Sequence, residues 1–198
     1  MKKTIILILT LVALTNAVKA QVQFSVGPGV GFNYAVHSSS ESNDTYSYFG
    51  ALVTSQIDMQ FSRKFALLLW VDFYSDMSLT QKSAYQQYKY NINYFQLAPT
   101  LKYCIPGSPF YLYAGPGFGI KTIGTEKMNS GGNYTEEIPN MTTRIDFRFG
   151  AGYEFFLSNK FTLTPFAGFN TAMNEVTTDS KWQISALQAG LVLRYNFF

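Results

Sequence analysis

The sequence predicts an all-β chain folded as an eight-stranded antiparallel up-and-down transmembrane β-barrel. Three observations carry that reading. Apolar and polar residues alternate with a period of two in eight separate segments. The connections between segments are alternately tight and long. The last segment ends in Leu193, Tyr195 and Phe197 on one face, with Phe198 last.

Residues 1–20, MKKTIILILTLVALTNAVKA, read as a secretory signal peptide cut before Gln21, which leaves 21–198 as the barrel domain. Lys2 and Lys3 form its basic start, Ile5 to Leu14 its apolar run, and Val18 and Ala20 the small residues before the cut. The apolar run is too short for the ~20 residues that a bilayer-spanning helix needs. No Cys follows the cut, so a lipid anchor there is not expected. Cleavage removes Lys2, Lys3 and Lys19 and no acid. Of the 15 basic residues 12 then remain, against 12 acids. The formal +3 and the pI of 8.8 therefore belong to the signal, and no nucleic-acid partner is expected.

The first strand, QVQFSVGPGVGFNY at 21–34, separates Val22, Phe24, Val26, Pro28, Val30, Phe32 and Tyr34 from Gln, Ser, Gly and Asn without exception. The second, near 47–61, sets Phe49, Ala51, Val53, Ile57, Met59 and Phe61 against Gly50, Thr54, Gln56 and Asp58. The third, near 65–74, sets Phe65, Leu67, Leu69, Val71 and Phe73 against Trp70 and Asp72. The fourth, near 90–105, sets Phe95, Leu97, Leu101 and Tyr103 against Gln96, Thr100 and Lys102. The fifth, near 110–121, sets Phe110, Leu112, Phe118 and Ile120 against Tyr111, Tyr113 and three glycines. The sixth, near 141–157, sets Ile145, Phe147, Phe149 and Tyr153 against Arg144, Asp146, Arg148 and Glu154. The seventh, near 161–172, and the eighth, near 182–198, repeat the pattern with Phe161, Leu163, Phe169, Leu187, Leu191 and Leu193.

Tight turns are expected at 62–64, 106–109 and 158–160, and long polar loops at 35–46, 75–89, 122–140 and 173–181. Short turns at one end and long loops at the other fit an outer-membrane barrel. A soluble lipid-binding barrel would share the alternation with its apolar face inside. Lipid outside is favoured by strand length, by the glycines on the polar face, which suit a crowded lumen, and by the aromatic carboxyl end. That end resembles the signal read by bacterial barrel-insertion machinery. Outer-membrane lipid and that machinery are thus the expected partners, with an unidentified surface ligand at the long loops. Pro28, Pro99, Pro116 and Pro165 fall within strands and are expected to mark bulges or bends.

The polar face carries the ionisable residues. Asp58, Lys102, Glu154 and Arg194 lie on strands two, four, six and eight, each about four residues from a tight turn or the terminus. They are expected to form one layer of two acids and two bases in the lumen. Asp72, Arg144, Asp146 and Arg148 are expected as a second group higher up. An Arg or Lys at the lipid midplane would cost ~2–4 kcal/mol, so these groups must point inward. Their expected role is structural: they plug the barrel and hold strand register.

Internal similarity accompanies the pattern. VGPGVGF at 26–32 matches AGPGFGI at 114–120, and FQLAPTLKY at 95–103 matches LQAGLVLRY at 187–195, as though the chain were two four-stranded repeats, 21–109 and 110–198.

The signal, the GPGxG strand, YFQLAPTLKY and the terminal LVLRYNFF together resemble the PorT-like outer-membrane β-barrel domain family of Gram-negative bacteria. The resemblance covers the whole mature chain and rests on strand patterns. It implies an eight-stranded barrel in the bacterial outer membrane and imports no activity.

Chemistry is sparse. One Cys excludes a disulfide framework and a Cys-based zinc site, and one His excludes most His-dependent metal sites, so no cofactor or metal is expected. The sole His, His37, falls in the first polar loop and is expected to be solvated. Cys104, beside a tight turn, is expected to pack inward. The Gly-x-Gly-x-Gly runs at 27–31 and 115–119 lack the Lys and the following helix of a phosphate loop. Tyr46, Tyr48, Tyr88, Tyr90 and Tyr94 are expected in an interfacial aromatic girdle. A non-enzymatic envelope protein, structural or binding through its surface loops, fits best. The alternatives are a lipid-modifying enzyme and an accessory subunit of a secretion or transport machine.

Overall fold

The computed structural model describes residues 22–39, 45–82, 87–129, 133–177 and 181–197. The expected signal peptide lies outside the described residues. Among the described residues eleven strands run in chain order: β1 (Gln23–Ser39), β2 (Thr45–Gln60), β3 (Phe65–Asp76), β4 (Leu79–Lys82), β5 (Gln87–Cys104), β6 (Phe110–Asn129), β7 (Asn133–Glu137), β8 (Arg144–Tyr153), β9 (Phe155–Phe156), β10 (Phe161–Ala172) and β11 (Trp182–Phe197).

They make eight staves. β3 and β4 both pair with β5, while β7, β8 and β9 form one broken stave between β6 and β10. Every pairing is antiparallel between neighbours, and β1 pairs with β11 from Phe24–Phe197 to Ser39–Trp182, which closes the barrel. Three short turns and the two ends of the described chain lie at one end of the barrel, here the turn end. The Ser62 and Ser158 hydroxyls accept the Phe65 and Phe161 N–H at 2.9 and 3.2 Å, and Gly107 supplies the positive φ of 75° in the third turn.

Alternation sets the two faces. Val30, Phe49, Leu101, Leu112, Ile120 and Leu191 are exposed on the outer face, while the polar phase is buried in the lumen. At the turn end the outer face carries an aromatic belt: Phe24–Phe197, Phe65–Tyr103, Phe110–Tyr153 and Phe161–Tyr195 pair across strands at 4.7–5.5 Å between ring centroids. Such belts mark the membrane interface of outer-membrane barrels.

Three expectations are corrected. Three of the four polar stretches are largely strand, while 173–177 is loop as expected. β1 and β2 run to Ser39 and from Thr45, and β4, the ends of β5 and β6, and β7 occupy most of 79–137. Beyond the bilayer neither face of a hairpin meets lipid, so the period-two signal fades while backbone pairing continues. Residues 40–44, 83–86, 130–132 and 178–180 lie outside the described residues.

The strand prolines mark gaps in constant register, not bulges. Pro99 and Pro116 face each other in the stretch between the Leu97–Phe118 and Leu101–Ala114 pairs, where neither ring nitrogen can donate. Beside Pro28 the β1–β11 pairing skips from Val26–Tyr195 to Gly29–Val192, and beside Pro165 pairing skips from Phe166–Gly152 to Leu163–Phe155. Each proline keeps its ladder to the other neighbour, because a strand residue directs its N–H to one side only. The register shifts fall elsewhere, at Phe73–Tyr74 of β3 and near Thr122 of β6.

The third correction concerns the tyrosines. Tyr94 is fully buried in the lumen, and Tyr90 packs edge-on against Trp182 at 4.9 Å. Both share the even phase of β5 with Gln96, so they point inward. The side chain of Tyr88 lies outside the described residues.

Candidate functional site: the filled lumen and its two ends

The lumen is filled in layers, which follow from the inward phase of each stave. Nearest the turn end, Asp58 on β2, Lys102 on β5, Glu154 between β8 and β9, and Arg194 on β11 meet. Lys102 Nζ lies 2.6 Å from Asp58 Oδ2 and 2.6 Å from Glu154 Oε1. Arg194 binds the same two oxygens through Nη1 and Nη2. The four charges thus form a ring of alternating sign. The Tyr111 ring sits against Lys102, 4.6 Å from ammonium to centroid. Gly152 makes the space for it, since a Cβ there would overlap the ring.

Above the ring lies an aromatic layer. Trp70 packs on Phe166 at 4.6 Å and Tyr113 at 5.2 Å, with Leu52, Leu68, Ala98 and Val192 around them. Gly150 and Gly168 leave room for the Tyr113 hydroxyl.

The second charged layer follows. Arg148 Nη2 lies 2.5 Å from Asp72 Oδ2 and its guanidinium 5.5 Å from the Trp70 ring. Thr54 donates to Asp72 at 2.6 Å. Arg144 Nη2 lies 3.1 Å from Asp146 Oδ2 as an ion pair, and that oxygen accepts a hydrogen bond from Gln96 Nε2 at 3.1 Å. Arg144 further contacts the Met77 thioether and the Tyr94 face. All four charges are at most 1% exposed.

At the hairpin end an apolar cap closes the lumen. Ala35, Met77, Ile92, Tyr94, Ile138, Val176, Ile184 and Ala186 form it, with Trp182 and Met141 against them. Backbone bonds hold the inward-folded segments: Met77 N–H to Ile92 C=O at 2.8 Å, Val176 N–H to Trp182 C=O at 2.7 Å, and Ile138 N–H to Gly124 C=O at 2.9 Å. Sequence reasoning missed this cap. Its only signal is the isolated apolar residues Met77, Ile138 and Val176 in stretches otherwise polar.

His37 is the clearest correction. Expected in a solvated loop, it sits on β1, 1% exposed, with Nε2 2.9 Å from the Met77 carbonyl oxygen and its ring edge-on to Trp182. The longer β1 carries it under the cap. A carbonyl partner does not activate a nucleophile, and among the described residues no group of three or more His, Cys, Asp or Glu is arranged to hold a metal ion. Outside the barrel body, on the β6–β7 hairpin, Lys121 bonds Glu137 at 2.9 Å and holds that exposed carboxyl below its usual range.

The turn end is open. A pocket of about 910 Å³ lies there, floored by Asp58, Glu154 and Arg194 and edged by Cys104, Phe156 and Lys160. Cys104 is half-buried at its wall.

The molecule is thus a closed, eight-stave antiparallel barrel with an apolar outer face, and the profile of the outer membrane protein beta-barrel domain matches residues 5–197. The chain belongs to that family. As a member it is a protein of the bacterial outer membrane. The outer membrane protein OprG from Pseudomonas aeruginosa superposes with a TM-score of 0.57 at 10% identity, over 89% of this chain and 96% of that one. Neisserial surface protein A gives a TM-score of 0.48 at 16% identity, over 88% and 97%. The attachment invasion locus protein Ail of Yersinia pestis, solved with a heparin analogue, gives 0.48 at 11%, over 86% and 98%. At these identities the OprG likeness speaks for the fold alone. No curated protein matches the sequence significantly.

Proposed function

We propose that this family member is a non-enzymatic outer-membrane barrel, closed to solutes, that supports the envelope and offers its hairpin end as a binding surface. The observation that carries the reading is the filled lumen: charged ring, aromatic layer, second charged layer and apolar cap follow one another along its length. Eight staves enclose an interior just wide enough for side chains. The charges then serve structure. Each layer ties staves that are distant in sequence, Asp72 to Arg148 and Asp58 to Arg194, and so holds register. With the belt and both ends of the described chain at the turn end, that end faces the periplasm and the hairpins face outward. The outer-membrane lipid and the insertion machinery that reads the terminal aromatic strand complete the set of partners, and within the family the GPGxG and YFQLAPTLKY strands support a PorT-like placement.

Planar-bilayer recording tests the closure: the purified barrel should give no steady open steps, and regular conductance would overturn the reading. Exogenous protease on intact cells should cut the hairpins and spare Arg63-Lys64; the reverse would invert the orientation. His37→Ala should leave lipid deacylation in a whole-membrane assay unchanged, and a loss would restore the lipid-modifying enzyme.

A further inference from the structure

The structural role leaves the open mouth at the turn end unexplained. Its floor has unspent bonding capacity. Both cations of the ring use Asp58 Oδ2, while Asp58 Oδ1 has no hydrogen-bond partner among the described residues, and neither does Arg194 Nε. Asp58 is 5% and Arg194 2% exposed, and both line the pocket. A buried, unpaired carboxylate oxygen is costly unless something donates to it. Phe156 adds a second anomaly. It pairs with Thr162, which lies on the lumen phase, yet the residue is 69% exposed and lines the mouth. Lys160 stands on the adjoining turn. Phe24 and Phe197 line the same pocket and belong to the aromatic belt, so the mouth lies at the depth of lipid headgroups.

The site therefore offers an acceptor and an aromatic face for a cation, a lysine for an anion, and an apolar rim beyond them. We propose that it seats the headgroup of an ethanolamine phospholipid. The ammonium donates to Asp58 Oδ1 and lies against Phe156. The phosphate turns to Lys160, and the acyl chains pass over Phe24 and Phe197. An N–H donor is required at Asp58, which choline lacks. A phosphatidylglycerol headgroup brings no cation. The inference goes beyond the structural role and rests on the reading that the turn end lies at the membrane interface. Lipid capture by the purified barrel does not depend on which side that end faces, so its failure would leave the topology reading intact.

The experiment is native mass spectrometry of the full barrel refolded in detergent, titrated with phosphatidylethanolamine, phosphatidylcholine and phosphatidylglycerol of the same acyl chains. Ethanolamine lipid should be retained at least about tenfold over either of the others, the worth of one charge-assisted hydrogen bond. Lys160→Glu should weaken retention of all three lipids, since each carries the phosphate, and Phe156→Ala should narrow the margin over phosphatidylglycerol, both at exposed positions, while Lys64→Glu on another turn should change neither. The gel-mobility shift on heating confirms that each variant is folded. Equal retention of the three lipids, or retention untouched in both mouth variants, overturns the proposal. So does displacement of the lipid by an N-acetylglucosamine tetramer, which would make the mouth a glycan site.

Discussion

The two charged layers of the lumen each join two acids to two bases and differ in wiring. Near the turn end, Lys102 and Arg194 each reach both Asp58 and Glu154, so every charge has two opposite neighbours. Glu154 is 17% exposed by side chain, and the mouth lets water in. Above the aromatic layer, Asp72–Arg148 and Asp146–Arg144 are separate pairs, sealed by Trp70 and its neighbours on one side and the apolar cap on the other. The wet ring is redundant and the dry pairs are not. Burial and connectivity, more than the number of charges, should decide what each residue contributes.

Removing one charge from each layer probes that difference most severely. Asp72→Ala leaves Arg148 buried with Gln96 at 3.4 Å as its remaining side-chain hydrogen-bond partner. Loss of one member of a buried pair costs ~3–5 kcal/mol, and the urea midpoint in micelles should fall accordingly. Arg194→Ala should cost less, ~2–3 kcal/mol, because Lys102 still bridges both acids. Adding Glu154→Ala should restore part of that loss, since Asp58 and Lys102 remain as a balanced pair. Equal penalties for Asp72→Ala and Arg194→Ala would remove the distinction between the layers.

A packing variant approaches the wet ring from another side. Gly152→Ala places a methyl group where the Tyr111 ring lies against Lys102. Overpacking of this kind typically costs ~1–3 kcal/mol, and the lower half of that range is expected here because the open mouth lets the ring shift. The smallest effect belongs to the solvated Lys121–Glu137 pair on the hairpin. Lys121→Ala should change stability little, and less still at high salt. Because the Glu137 carboxyl titrates below its usual range when folded, its contribution is present above that range and fades as pH falls through the lowered value. Proton titration of Glu137 by NMR should show the lowered midpoint return to the ordinary one in Lys121→Ala.

Much of the barrel is legible in the order of the amino acids. Period-two alternation is local, so the eight staves, the outer apolar face and the residues sharing the lumen phase can be read directly, from Asp58 to Arg194. The tight turns at 62–64, 106–109 and 158–160 are equally local. Other features need the partner strand. Alternation does not report where a hairpin stops once lipid no longer distinguishes its faces, so β4, β7 and the upper reaches of β5 and β6 are hidden in polar stretches. The burial of His37 is hidden for the same reason.

Which side chains share a face follows from the chain alone, because successive residues of a regular strand point to opposite sides. Which acid meets which base follows only from the assembled barrel. Stagger between staves brings Lys102 and Arg194 onto the same two oxygens and sets Asp72 against Arg148, 76 positions away. It also folds Ile138 and Val176 inward as a cap, and turns four strand prolines into gaps that leave the register intact. Those outcomes depend on closure of β1 onto β11, a contact between the two ends of the described chain that no local pattern encodes.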